Sequence, residues 1–331
     1  MRTMAVALGL AALLGASEAR ALDEVTFGTN WLAQAEHGGY YQAVADGTYE
    51  KHGLKVTIRQ GGPQAANRAL LIAGRIDFYM GGNMLEAFSA IEQGIPTVTV
   101  AAIFQKEPQV LLAHPDQGIE KFEDLQKLTL FISNDGLSSY FQWMKSAYPG
   151  FKDEQVRPYT FNPAPFIADK RSAQQGYVTS EPFAIEREGG FKPKIFLLAD
   201  YGFDTYSTTI ETRREVIEKK RDLVQRFVDA TIIGWYNYLY GDNAAANTLI
   251  KKDNPEMTDA QIAFSIKQMK EFGIVVSGDA EAKGIGCMTA EHQKSFFDKM
   301  VKAKVVKADL DLSKAYTLDF VCKGVGMNLK R

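Results

Sequence analysis

Cysteine is scarce. The 331-residue chain holds two, Cys287 and Cys322, too few for a disulfide scaffold or a four-cysteine zinc site. Histidine is almost as rare. His37, His52, His114 and His292 form no HxxxH or HxH pair, so the usual histidine metal motifs are excluded and no metal is expected. Excess charge is also missing: 38 Lys+Arg face 40 Asp+Glu, a net charge of -2, which leaves no basic footprint for nucleic acid. GxSxG, Walker A and a well-placed GxGxxG are all absent, and Gly284-Ile285-Gly286 reads as a loop beside Cys287. Beyond the N-terminus no apolar run reaches spanning length. The longest, residues 227–240, contains Asp229 and reads as a buried helix. What remains is a chain that is 46% hydrophobic and 11% aromatic, enough for one large domain or two lobes with ample core and not for disorder.

The first residues read as an export address. Arg2 gives a positive start, residues 4–15 (MAVALGLAALLG) an apolar run, and Ala19-Arg20-Ala21 small residues at the positions a signal peptidase reads. A signal peptide of residues 1–21 is therefore expected. The run is shorter than the ~20 residues of a membrane span, and no cysteine near the cleavage site indicates a lipid anchor. Without Arg2, Glu18 and Arg20 the net charge becomes -3, and the mature protein is expected to be soluble and periplasmic. In that oxidising compartment Cys287 and Cys322 are an even pair, expected to join; two buried free thiols are the alternative.

Short apolar strands alternate with amphipathic helices. Strands are expected at 25–30, 54–58, 76–80 and 97–103, with helices over 38–52, 64–73 and 84–93 that stop at Gly53, Gly74 and Gly94. A second series follows, with strands at 110–113, 129–132, 156–161, 176–179 and 195–198. Its helices fall at 138–147, 165–173 and 182–188. From Arg213 the pattern is mostly helical: 215–240 is one long helix or a pair, and Thr258 and Thr289 open two more. The rhythm predicts an α/β fold with parallel sheets covered by helices. Two series joined by extended segments near 100–112 and 200–212 predict two lobes with a double crossover. Residues 22–104 and 205–331 would form lobe 1, and residues 105–204 lobe 2.

In open α/β sheets ligands sit beyond the carboxyl ends of the strands, which selects candidate residues. Asn30 and Trp31 follow the first strand, Asn83 the third and Phe104 the fourth, while Glu181 and Tyr201 follow strands of the second series. Trp31, Tyr40 and Tyr41 are suited to stack on a flat ring, or else belong to the core. Glu181 is suited to accept hydrogen bonds from an exocyclic amine or a protonated ring nitrogen, or else to complement a helix dipole. His37, before Gly38-Gly39, either touches ligand or caps a helix. No catalytic constellation emerges.

Asn30-Trp31, followed by Ala35-Glu36-His37-Gly38-Gly39-Tyr40-Tyr41, Ala43, Gly47, Tyr49 and Gly53-Leu54, resembles the N-terminal motif of thiamine-pyrimidine precursor binding proteins. These are receptors of bacterial ABC importers related to the yeast pyrimidine synthase of thiamine biosynthesis. Gly61-Gly62-Pro63, residues 71–78 (LIAGRIDF) and residues 176–182 (GYVTSEP) continue the likeness over about residues 25–240. The resemblance implies the type II periplasmic-binding-protein fold, two α/β lobes closing on a double-crossover hinge. It also implies Trp31, Tyr40 and Glu181 at the ligand, His37 near it, and an inner-membrane ABC permease as partner. A flat heterocycle such as a thiamine pyrimidine precursor is the expected ligand of a monomeric receptor. Riboflavin, another aromatic solute, or a pyrimidine-processing enzyme of the same fold are the alternatives. The synthase branch carries a cysteine-rich motif and a lysine–histidine arrangement for pyridoxal phosphate and iron chemistry. Here the two cysteines lie far apart and late, so no cofactor is expected.

Overall fold

The computed structural model describes residues 21–62, 65–160 and 162–330. Apart from Ala21, the expected signal segment lies outside the described residues, as do Pro63, Gln64 and Phe161 from the expected helix, motif and strand.

In chain order, β1 (Asp23–Gly28), β2 (Leu54–Arg59), β3 (Phe78–Asn83) and β4 (Thr97–Phe104) build most of one sheet. The chain then crosses to a second sheet of β5 (Gln109–Ala113), β6 (Thr129–Ile132), β7 (Val156–Pro158), β8 (Ser172–Tyr177) and β9 (Lys194–Leu197). It returns through β10 (Ser207–Arg213). The orders are β2-β1-β3-β10-β4 and β7-β6-β8-β5-β9. Two lobes joined by two crossing segments are thus observed.

Two expectations need correction. Residues 207–213, expected as a connection, form an inner strand of the first sheet, and neither sheet is wholly parallel. β10 runs antiparallel to β3 and β4, and β5 antiparallel to β8 and β9. A strand that leaves one lobe along β4 and re-enters along β10 must return in the opposite sense, so the double crossover itself imposes the antiparallel pairs.

Helices fill the connections. In the first lobe they are α1 (Gly38–Ala45), α2 (Thr48–Lys51), α3 (Asn67–Ile72) and α4 (Met84–Glu92). The second lobe has α5 (Asn134–Ser138), α6 (Tyr140–Ala147), α7 (Ala164–Ala168) and α8 (Glu181–Gly189). The tail adds α9 (Arg214–Lys219), α10 (Arg221–Tyr240), α11 (Ala244–Asp253), α12 (Asp259–Glu271), α13 (Gly278–Lys283) and α14 (Ala290–Lys302). The expected helix over 38–52 is two pieces, because Gly47 turns the chain at φ 71°. That over 138–147 is broken at Ser139, and 215–240 is a pair. Thr258 and Thr289 cap α12 and α14 by accepting from the Gln261 and His292 backbone N–H groups. Among the described residues no helix is long and apolar enough to cross a membrane.

The first lobe is held by aromatic packing under α10. Phe227 stacks on Phe78 at 4.1 Å between ring centres and on Tyr49 at 5.5 Å, and Trp235 meets Tyr40 and Phe104 edge-on. α1 lies directly on this helix, and Gly38 and Gly39 make the approach possible. A Cβ on Gly38 would overlap the Tyr238 ring, and one on Gly39 the Trp235 ring. The chain's end returns to the outer side of β4: the Thr99 N–H donates to the Ala315 carbonyl, and the Thr317 N–H donates back to Thr99. Ala102 and Gly286 form a further bridge. Cys287 and Cys322 are bonded, with Cα atoms 4.6 Å apart, the pairing expected from the sequence.

Candidate functional site

A cleft of about 430 Å³ opens between the lobes, in the range of small-molecule sites. Asn30, Trp31 and His37 from the first lobe face Tyr140, Tyr177 and Glu181 from the second, while Asn83 and Glu107 stand by the crossing. Local sequence explains the placement. Trp31 follows the carboxyl end of β1. Asn83 ends β3 and caps α4, its Oδ1 accepting from the Leu85 N–H at 3.0 Å while its Nδ2 donates to Glu107 at 3.0 Å. Glu181 opens α8, and Gly176 makes room for it: a Cβ there would lie 2.7 Å from the Glu181 Cβ.

The lobes touch at the rim. The Thr179 hydroxyl donates to Glu36 across the gap, and Ser265 of α12 donates to the Thr179 carbonyl at 2.7 Å. Behind the cleft Arg68 lies 3.2 Å from Glu86 and 3.5 Å from Glu211. Gly81 is glycine because a side chain would run into Glu211 and Thr209.

Burial dominates the electrostatics. It pushes the Glu36 carboxyl up to about 7, against the Thr179 hydrogen bond. It pushes Glu107 up to about 8, opposed by hydrogen bonds from Asn83, the Gln109 backbone and Tyr177. Glu181, Glu86 and Glu211 are also raised by burial, with the Arg68 charge opposing it at the last two. His37, fully buried, is lowered to about 3, so it is a neutral imidazole at pH 7.

This has a measurable consequence. In the unfolded chain these carboxyls ionise near their ordinary values, whereas the folded protein holds their protons until pH passes about 7 to 8. Their stabilising contribution is complete below the ordinary carboxyl value of 4.5 and is lost progressively from there until pH reaches about 7 to 8. His37 opposes this only below its unfolded value of about 6.5. The melting temperature of the ligand-free protein should therefore fall as pH rises from about 6.5 to about 8 and level off above that. A scanning-calorimetry midpoint that rises across the window would contradict protonated acids in the cleft.

The NMT1/THI5-like sequence profile matches residues 34–246, well over half of the chain. The chain belongs to the NMT1/THI5-like family. It is 23% identical over 309 residues to the riboflavin-binding protein RibY of Chloroflexus aurantiacus, covering 92% of this chain and 87% of that protein. The 4-amino-5-hydroxymethyl-2-methylpyrimidine phosphate synthase of Schizosaccharomyces pombe is 26% identical over 104 residues, 31% of this chain and 30% of that one. Among solved structures, the periplasmic aliphatic sulphonate binding protein SsuA from Escherichia coli superposes with a TM-score of 0.66 at 15% identity. That match covers 88% of this chain and 91% of the other. The fold is thus that of the substrate-binding proteins of ABC importers, the type II periplasmic-binding-protein architecture.

Not every candidate residue reaches the NMT1/THI5-like cleft. Asn30, Trp31, His37, Asn83 and Glu181 line it. Tyr40 does not: it is fully buried against Phe27 and Trp235. Tyr41 is turned to the other side, its hydroxyl donating to Asp253 at 2.7 Å. Phe104 packs on Trp235, and Tyr201 stacks on Phe122 at 4.5 Å. Once α1 begins at Gly38, its phase carries residues 40 and 41 into the first-lobe core and toward α11, which corrects the stacking role expected for both. His37 precedes α1 yet makes no side-chain capping bond. Sequence reasoning missed Glu36, Glu86, Glu107 and Tyr177 of the cleft. Glu36 and Tyr177 did stand within the two quoted motifs, and Glu107 follows a strand end by three residues.

Proposed function

We propose that this protein is the periplasmic solute receptor of an ABC importer. In this reading the lobes, 22–104 with 205–331 and 105–204, close over a flat heterocyclic nutrient such as a thiamine pyrimidine precursor. The observation that carries it is the interlobe cleft itself, where Trp31 from one lobe and Tyr177 from the other offer aromatic faces beside hydrogen-bonding side chains. A ligand touching both lobes favours closure, because only the closed state makes both sets of contacts. The closed receptor, a monomer exported by its signal peptide, then docks on a membrane permease. The partial match to the pyrimidine phosphate synthase supports the pyrimidine. The match to a riboflavin-binding protein over most of the chain supports riboflavin as the second reading. An enzyme of the same fold is the weaker alternative, since among the described residues no lysine lines the cleft to hold a carbonyl cofactor.

Titration calorimetry with 4-amino-5-hydroxymethyl-2-methylpyrimidine and with riboflavin tests this. One should bind, and Trp31→Ala should weaken it by at least about 1 kcal/mol, the scale of a lost aromatic contact. Equal affinity in wild type and variant would remove Trp31 from the site, and binding of neither would count against the heterocycle.

A further inference from the structure

The receptor reading leaves the charge of the cleft unexplained. Glu36 and Glu107 are 3% and 2% exposed, and both line the cavity with Glu86 and Glu181. Asp135 adds a carboxylate from the second lobe. Among the described residues neither lysine nor arginine lines the cavity. Arg68, behind Glu86, is already shared with Glu211. Among the described residues no group of these side chains converges as a metal site would.

The acids form two poles. At one, Glu181 accepts from the Tyr177 N–H at 2.6 Å and Glu36, from the opposite lobe, accepts from the Thr179 hydroxyl two residues on. At the other, Glu86 accepts from the Gly82 N–H at 3.2 Å and Glu107 from the neighbouring Asn83 side chain at 3.0 Å. Burial and the charges of all four glutamates raise the Tyr177 hydroxyl. The remaining titratable neighbours are neutral: Tyr79 beside Glu86 and Glu211, Tyr159 at Glu181, and Tyr238 facing Glu36. A second feature points to a missing partner. The His37 ring is fully buried, lines the cavity, and has no hydrogen-bond partner at either nitrogen among the described residues.

Buried carboxyls without cations either keep their protons or await a cation from outside. We infer that the cleft selects a flat ring carrying proton-rich, positively charged nitrogen at two ends, an ammonium or amidinium group for each acidic pole. The inference rests on the receptor reading of the cleft and departs from its neutral ligands, favouring a cationic ring over riboflavin or a neutral pyrimidine. It also separates this cleft from one that takes a sulfonate, whose negative charge would face buried carboxyls with no lysine or arginine among the described lining residues. Docking of such a ligand ionises the carboxyls, their protons pass to solvent, and the carboxylates remain paired with the ligand nitrogens. Glu36 and Glu107, held near 7 and 8 without ligand, make the binding pH-dependent.

The test uses the mature chain and four probes: 4-(aminomethyl)benzamidine with two cationic ends, benzamidine with one, neutral benzamide, and hexanesulfonate. By calorimetry the two-ended amidine should bind about tenfold or more tighter than benzamidine, benzamidine tighter than benzamide, and the sulfonate not at all. Amidine affinity should rise at least about tenfold from pH 6 to pH 8.5, with proton release seen as a buffer-dependent heat. Glu107→Gln and Glu181→Gln should each bring the two-ended probe down to the benzamidine level. In the wild type, infrared absorption of protonated carboxyls at neutral pH should vanish on saturation with the two-ended probe. Equal binding of benzamide and amidines, pH-independent amidine affinity, or no amidine binding would each overturn the inference. If a neutral pyrimidine or riboflavin still binds in a Trp31-dependent way, the receptor stands and only this inference falls. If no ring compound binds, both fall.

Discussion

Gly39→Leu should cost the protein at least about 3 kcal/mol of folding stability, at the upper end of what overpacking costs. The reason is the close approach of α1 to α10. Any side chain at residue 39 would enter the Trp235 ring, while from the other helix a Cβ on Gly234 would meet the Gly39 carbonyl and lie 2.7 Å from the Ala43 Cβ. Neither helix can retreat easily. Trp235 is pinned between Tyr40 and Phe104, and Tyr49 is fixed to Thr231 by a 2.8 Å hydrogen bond. The higher helix propensity of leucine returns less than about 1 kcal/mol. Urea unfolding measures the loss. Val44→Leu, on the exposed side of the same helix, serves as control and should change stability by no more than about 0.5 kcal/mol. Equal stability of Gly39→Leu and wild type would mean that the two helices do not pack as described.

Replacing both disulfide cysteines, Cys287→Ser with Cys322→Ser, should lower stability by about 4 kcal/mol, the loop-closure entropy released for a separation of 35 residues. Mutating both avoids leaving a lone thiol. The bond joins the loop before α14 to the chain's end, and that loop also carries Gly286, which bridges Ala102 of β4. The loss should be matched by reductant acting on the wild type and absent when reductant is added to the double variant. A wild type whose unfolding midpoint ignores reductant at equilibrium would argue that the cross-link does not form.

Much of the fold was readable because glycine stops and apolar periodicity agree along the first four strands, and because paired extended segments marked the crossings. β10 escaped for a physical reason. Its sequence STTIETR is polar, yet it is buried, because Glu211 has Arg68 within reach and the Thr212 hydroxyl donates to the Asp77 carbonyl. Polar satisfaction by distant residues leaves no local pattern. The strand-end rule found Asn30, Trp31, Asn83 and Glu181, since it depends on topology. It could not separate Phe104, whose side chain turns toward α10, from residues facing the gap. Nor could it reveal Glu36, Glu86 and Glu107, because a glutamate in a sequence reads as a solvated residue until the structure shows water excluded from it.

The return of the chain's end to β4 has a further consequence. β4 is the last strand of its sheet, and an unpaired last strand offers its N–H and C=O groups to any other extended chain. Residues 315–317 and Gly286 occupy part of that side, and the disulfide keeps the two segments together. The tail therefore shields part of that edge from strand-to-strand self-association.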